Sequence, residues 1–260
     1  MSEDFSSAHV SFGNSYSKIY DLVYASKPYL SEVEFIFSLS KPPSEVTSVL
    51  DLGCGSGRHL ECAVELMASE GRTVGVDLSP DMCRLAEDRV PDSTIICSAI
   101  QDYSAAAQFD LVYSVFHVIN YITAEVEVSH FFTTIARSLK DDGVAIIDFW
   151  NRAAWNLTPP SVRVRKFDDR NGGKLIRCVV PAFIDLQLGL VSLEIDNFVP
   201  IGQGEYENIS ETHVMRAYSA LELSLIAEQN GLTVTGVGAW NSQNPLTPND
   251  WAGWMSFVLK

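Results

Sequence analysis

Gly53, Gly55 and Gly57 stand at alternate positions at the end of Val49-Leu50-Asp51-Leu52-Gly53-Cys54-Gly55-Ser56-Gly57-Arg58, and no other stretch limits the possible folds as sharply. Residues 48–52 form a hydrophobic run that reads as a strand, and Leu60, Val64 and Leu66 follow as the apolar members of an amphipathic helix. The chain therefore predicts a strand, a tight turn and a helix start. Glycines let such a turn take positive φ and let a ligand approach without meeting a Cβ. The helix start offers unpaired N–H groups and a partial positive charge. The spacing G-x-G-x-G differs from the G-x-G-x-x-G of dinucleotide sites, and no G-K-S or G-K-T of a P-loop is present.

The alternation of strand and helix continues. Residues 73–76 read as a second strand ending at Asp77, with Ser79 as helix N-cap and Pro80 at the first helical position. Further strands fall at 94–97, 109–116 and 144–149, with a helix over 124–139 and a turn at Asp141-Asp142-Gly143. Strands alternating with helices in this way make a doubly wound parallel sheet. From 161 to 217 the pattern switches to period two, as in Val162 and Val164 against Arg163 and Arg165, with turns at 168–173 and 202–204. Val191, Leu193 and Ile195 repeat it, as do Ile209, Glu211, His213 and Met215, and an antiparallel sheet of about four strands follows. A helix over 219–229 stops at Asn230-Gly231, and strands at 233–240 and 254–259 flank a polar loop at 241–250. Ahead of the first strand, Ile19, Tyr20, Val23 and Tyr24 and then Leu30, Val33, Ile36 and Leu39 mark two helices, and residues 1–12 are polar. The expected organisation is a helical cap (1–46), a sheet domain (47–160 and 218–260) and an antiparallel β lid (161–217).

Composition narrows the function. The formal net charge of −15 argues against nucleic acid, whose phosphates need a basic face. No apolar run reaches the ~18 residues of a membrane span, and the start carries no basic region followed by an apolar one. Five cysteines without C-x-x-C fit a reduced, cytoplasmic protein with no structural metal site.

Asp77 sharpens the ligand. An acid at the carboxyl end of the strand beside the glycine turn is placed to meet ribose hydroxyls. Taken with Gly75-Val76-Asp77-Leu78-Ser79-Pro80-Asp81-Met82, Ile100-Gln101-Asp102, Phe109-Asp110-Leu111-Val112-Tyr113-Ser114 and Leu139-Lys140-Asp141-Asp142-Gly143, the chain resembles the class I S-adenosylmethionine (SAM) methyltransferases over residues 47–150. The resemblance implies a Rossmann-like α/β fold, a seven-stranded sheet of order 3-2-1-4-5-7-6 with an antiparallel β lid inserted after strand 5. It implies SAM as cofactor, with Asp77 on the ribose, Leu78 and Met82 near the adenine, and Gly53 and Gly55 against the methionine part. Asp51, Cys54, Arg58 and Ser114 complete the expected surroundings. Many relatives place an acid after the third strand to accept from the adenine amino group. Here Ala99 takes that place, leaving the backbone of Ile100 and Gln101 to serve that edge.

The acceptor side is read from what is missing and what is added. No N-P-P-Y or D-P-P-Y follows the fourth strand, which reads Ser114-Val115-Phe116-His117, so the usual signature of adenine or glutamine methylation is absent. No run of metal-binding acids points to a Mg²⁺-dependent catechol enzyme. An insertion after the fifth strand would enclose a small acceptor. With Tyr20-Asp21-Leu22-Val23-Tyr24, Tyr29, Phe116-His117, Asp148-Phe149-Trp150 and Glu211-Thr212-His213-Val214-Met215-Arg216, the chain is similar to methyltransferases acting on the amine of nucleotide-linked amino sugars. That resemblance implies that Tyr24 and Tyr29 close the SAM site and place the acceptor. His117 and His213 are the candidate proton acceptors, since histidine titrates near neutral pH. Each histidine, and each tyrosine, could equally be a packed structural side chain, as could Trp150 and Trp251, which might otherwise stack on a sugar or base. Two other functions stay open: O-methylation of a small hydroxylated metabolite, and a non-catalytic SAM-binding subunit of a partner. The lid strands could also pair with a second copy, giving a homodimer, because an exposed sheet edge has to be covered.

Overall fold

A computed structural model describes residues 14–67, 71–104, 108–168 and 173–260. The expectations for residues 1–12, and for most of the turn at 168–173, fall outside the described residues. In chain order the elements are α1 (Asn14–Val23), α2 (Tyr29–Ser38), β1 (Ser48–Leu52), α3 (Arg58–Leu66), β2 (Arg72–Asp77), α4 (Pro80–Arg89), β3 (Thr94–Cys97), β4 (Phe109–Ser114), α5 (Glu125–Ser138), β5 (Leu139–Trp150) and α6 (Arg152–Leu157). They continue with β6 (Arg163–Asp168), β7 (Lys174–Asp185), β8 (Leu190–Gly202), β9 (Glu205–Arg216), α7 (Ala220–Gln229), β10 (Leu232–Ala239) and β11 (Ala252–Leu259).

The large sheet has the order β3-β2-β1-β4-β5-β11-β10. Strands β1 to β5 are parallel, and β11 runs antiparallel to both β5 and β10. This is the 3-2-1-4-5-7-6 arrangement, with the last two strands numbered later because the lid intervenes. Strand side chains alternate between faces. Leu50, Leu52 and Val112 pack with Phe131, Phe132 and Ile135 of α5 on one face, while Val49, Leu111 and Tyr113 pack with α2 and α3 on the other. Asp51 lies on that second face and is almost fully buried. The lid is a separate antiparallel sheet, β6-β7-β8-β9.

Local chemistry set several boundaries as expected. The Ser79 hydroxyl accepts from the Met82 N–H at the start of α4, and the chain leaves α7 through Asn230 and Gly231. Three boundaries differ. The turn expected at residues 141–143 is a bulge inside β5: Phe109 pairs with Leu139 but Leu111 with Val144. Gly143 permits it by lying where a Cβ would stand 2.6 Å from the Phe109 carbonyl oxygen. β4 stops at Ser114 rather than at residue 116, because Phe116 and His117 both take left-handed φ, at 68° and 67°. Helix α6, capped by Asn151 onto the Ala153 N–H, was not expected.

Candidate active site

The carboxyl ends of the parallel strands open into a cleft of about 1510 Å³ roofed by the lid sheet. That exceeds the usual 300–1,000 Å³ of a single small-ligand site, so two molecules can lie in it end to end.

The first end is built on the turn after β1. Gly53 has φ +86°, and a Cβ there would sit 2.5 Å from Val118 Cγ2. Gly55 has φ +53° and faces open space, its nearest neighbour being the Tyr20 hydroxyl at 3.9 Å from a Cβ position. A side chain at Gly55 would fill volume that a ligand needs. Asp77 accepts from the Gly55 N–H at 2.8 Å and the Ser79 N–H at 2.9 Å. A carboxylate has about four lone-pair sites, so acceptor capacity remains for hydroxyls. Burial pushes the Asp77 carboxyl up, and the backbone N–H groups offset part of that.

The N-terminal helix is pinned to this turn through Asp21. Asp21 accepts from the Ser56 hydroxyl at 2.9 Å and Arg58 Nε at 3.0 Å, and pairs with Arg89, whose own Nε donates to the Ser56 carbonyl at 2.7 Å. Burial raises the Asp21 carboxyl, but the two guanidinium groups outweigh it and hold it below its ordinary value. Tyr29 lines the cleft with a buried hydroxyl that has no hydrogen-bond partner, a group waiting for a polar ligand atom. Arg58 lies 5.6 Å from the centre of the Tyr29 ring. Beside it, Lys27, Glu32 and His59 form a buried network, with His59 Nε2 2.8 Å from Glu32.

Residues Leu78, Met82, Ala99, Ile100 and Gln101 line the same end. Cys54 lines it too, while Asp51 and Ser114 do not. Both lie beneath the floor: Ser114 is fully buried and donates to the Leu52 carbonyl at 2.7 Å. Asp51 keeps one oxygen without a partner, and burial, with the Asp77 charge adding, drives its carboxyl well above the usual range despite the Tyr113 hydroxyl. Their expected contact with a ligand is therefore replaced by a supporting position.

The throat between the two ends carries His117. Its backbone N–H donates to Asp148 Oδ1 at 2.7 Å, and its Nδ1 lies 3.0 Å from Asp148 Oδ2. Asp148 is 1% exposed, and His117 lines the cleft, its Nδ1 buried beside that carboxylate without satisfying a hydrogen bond among the described residues. His213 lines the cleft but has both nitrogens engaged, Nδ1 with the Tyr121 hydroxyl at 3.0 Å and Nε2 with Glu211 at 2.9 Å. Its ring is thereby tied to Tyr121 on one side and to Glu211 on the other. Tyr24 packs edge-on to Phe116 at 4.9 Å, and its hydroxyl accepts from Arg177 of the lid at 3.4 Å. Trp150, Trp155 and Trp251 form a continuous aromatic wall, with centroids 5.1 and 6.0 Å apart. Sequence reasoning missed Asp148 as the partner of His117, and it missed Tyr121 and Trp155. Their only signal was nearness to β-strand ends, which many residues share.

Comparison with known proteins places these features. Residues 49–143 match the family model described as a methyltransferase domain. The dTDP-3-amino-3,4,6-trideoxy-alpha-D-glucopyranose N,N-dimethyltransferase of Streptomyces venezuelae is 32% identical over 139 residues, 52% of this chain and 57% of that protein. The match thus spans little more than half the length of that relative. A SAM-dependent methyltransferase structure from Clostridium acetobutylicum superposes with a TM-score of 0.80 at 23% identity, covering 95% of this chain and 98% of that one. The Streptomyces venezuelae DesVI structure gives 0.79 at 24% identity, covering 94% and 98%.

Proposed function

We propose that this chain, built around a methyltransferase domain of the class I SAM-dependent fold, transfers a methyl group from SAM to the amine of a small acceptor, and that the acceptor is a nucleotide-linked amino sugar. The observation that carries the reading is the position of the His117–Asp148 pair between the glycine turn and the lid. The acceptor class is supported by the similar N,N-dimethyltransferase and by a cleft with room for a second molecule.

The residues present fit the donor. Gly53 and Gly55 leave the space for its methionine half. The Tyr29 hydroxyl and Arg58 would take its polar end, Asp77 its ribose hydroxyls, and Leu78, Met82, Ala99 and Ile100 its adenine. Bound SAM supplies a methyl group already activated by the sulfonium charge. The protein's remaining work is orientation, which can contribute about 7–11 kcal/mol. An amine attacks only when neutral, so one proton must leave it. In this reading His117 accepts that proton, with the Asp148 carboxylate 3.0 Å from its Nδ1. Tyr24, braced by Phe116 and Arg177, closes over the donor end.

The test is incubation with SAM and a panel of nucleotide-linked amino sugars and their hydroxy analogues, read by mass spectrometry. Methylated amino sugars are expected and unmethylated hydroxy analogues with them. Methylation confined to the hydroxy compounds would transfer the reaction to oxygen. His117→Asn should lower turnover by about 10²–10⁴-fold. Unchanged turnover removes His117 from the reaction.

A further inference from the structure

We propose that Arg163 and Arg165 of β6, with Arg177 of β7, form an anion subsite at the lid end of the cleft that takes the phosphate groups of the acceptor. This rests on the proposed function in two respects: the glycine-turn end belongs to the donor, and the acceptor is nucleotide-linked.

All three arginines line the cleft, and the intervening Val164 and Lys166 do not. The strand register explains why. Arg165 pairs directly with Arg177, and Arg163 pairs with Val179, so the three share the inward face of the lid. Like charges directly opposite one another in an antiparallel pair destabilise it. The arrangement therefore carries a local cost that an anionic ligand would remove.

Among the described residues the surroundings do not supply that anion to the two arginines of β6. The chain has 33 acids against 18 bases, yet neither Arg163 nor Arg165 makes an ion pair among the described residues. Arg163 instead lies 5.7 Å from the centre of the Trp251 ring. Arg177 is 8% exposed and donates to Asn197 Oδ1 at 3.2 Å, which fixes one side of its guanidinium. The carboxylates that do line the cleft, Asp77, Asp81, Asp102 and Glu127, all come from the Rossmann-like domain and none from the lid. The cleft thus has an acidic donor end and a basic acceptor end. Planar guanidinium groups bind phosphate oxygens in pairs, and two or three of them match the charge of a diphosphate better than that of a single carboxylate.

The full-length chain is titrated calorimetrically with inorganic pyrophosphate, thymidine diphosphate and thymidine, each with and without saturating S-adenosylhomocysteine. Thymidine diphosphate is expected to bind at least tenfold more tightly than thymidine. Arg165→Gln, and Arg163→Gln with Arg165→Gln, should weaken the diphosphate by about tenfold or more while thymidine is unaffected. Pyrophosphate binding as tightly as the diphosphate would assign the affinity to the phosphates alone; weaker pyrophosphate would add nucleoside contacts. Relief of the Arg165–Arg177 opposition should leave the thermal midpoint of Arg165→Gln equal to or above the parent's, which separates lost binding from lost folding. Equal affinity for thymidine and its diphosphate, absent nucleotide binding, or a diphosphate affinity indifferent to both substitutions overturns the proposal. Failure of the donor reading shows differently, as absent binding of S-adenosylhomocysteine.

Discussion

Asp77→Asn tests the donor site most directly. The Asp77 carboxylate accepts two backbone N–H groups, from Gly55 at 2.8 Å and Ser79 at 2.9 Å, one on each oxygen. An asparagine has one carbonyl oxygen, so its NH₂ must face one of those donors or turn outward. In the proposed function the same oxygens are the acceptors for the ribose hydroxyls. A hydrogen bond to a charged acceptor is worth about 1.5–3 kcal/mol, so losing one should weaken SAM by roughly 10–150-fold. Stability should move far less, because two effects oppose. The substitution loses one N–H contact, but burial has raised the Asp77 carboxyl, so the native state resists its ionisation above about pH 4 and the neutral amide removes that cost. The assay is calorimetric titration with SAM and S-adenosylhomocysteine beside a thermal melt at pH 7. Affinities within threefold of the parent, with the melt unchanged, would refute the placement of the ribose on Asp77.

Gly55→Ala should fold with a loss of about 1 kcal/mol from its φ of +53° but bind SAM poorly, because its Cβ enters open cleft; Gly53→Ala should lose more, through the 2.5 Å approach to Val118. Urea denaturation of both variants checks the order, and the reverse order contradicts it. Asp51 and Asp110 should show opposite pH signatures. Burial raises the Asp51 carboxyl, so its cost grows as pH climbs above about 4, and Asp51→Asn should gain more thermal stability at pH 8 than at pH 4. Asp110 is also pushed up by burial, but Lys140, Thr47 and Ser48 overcome this and hold it far below the usual range. Its stabilisation is full above about pH 4 and is lost progressively below, so Asp110→Asn should be destabilised at pH 7, less so at pH 2, and reach the parent only at still lower pH. Melting curves across pH decide both, and matching signs for the two variants would refute the argument.

The parallel sheet and the glycine turn at one end of the cleft were legible because their signals are local. Alternate glycines, an acid-ended second strand and the Ser79-Pro80 cap each lie within a few residues, and the sheet order follows once the alternation of strand and helix is set. The lid was legible from period-two alternation, which also put Ile209, Glu211, His213 and Met215 on one side of it, while the inward face of Arg163 and Arg165 emerges only from the pairing of β6 with β7. The chemistry of those side chains was not, because it depends on partners far along the chain. His213 meets Tyr121 across 92 residues, and Asp21 meets Arg89 across 68. No spacing encodes such meetings. Helix α6 has six residues, too few for a helical period to register, so Trp155 went unnoticed with it.

The hardest feature to foresee is the backbone that carries the proposed proton acceptor. Phe116 and His117 hold left-handed φ with no glycine or asparagine to signal it, at a cost of roughly 1–3 kcal/mol each. The cost is offset at Asp148, which receives the His117 backbone N–H on one oxygen and faces the ring nitrogen with the other. Asp148 stands on β5 opposite Trp254 of β11, so the histidine is fixed by the interior of the sheet and not by its own loop. A strand that merely ended after Ser114 would leave the ring free to follow the loop. The left-handed pair turns it back over the strand ends, where His117 lines the cleft. The conformational cost and the candidate proton acceptor are thus the same feature, and removing Asp148 should release both at once.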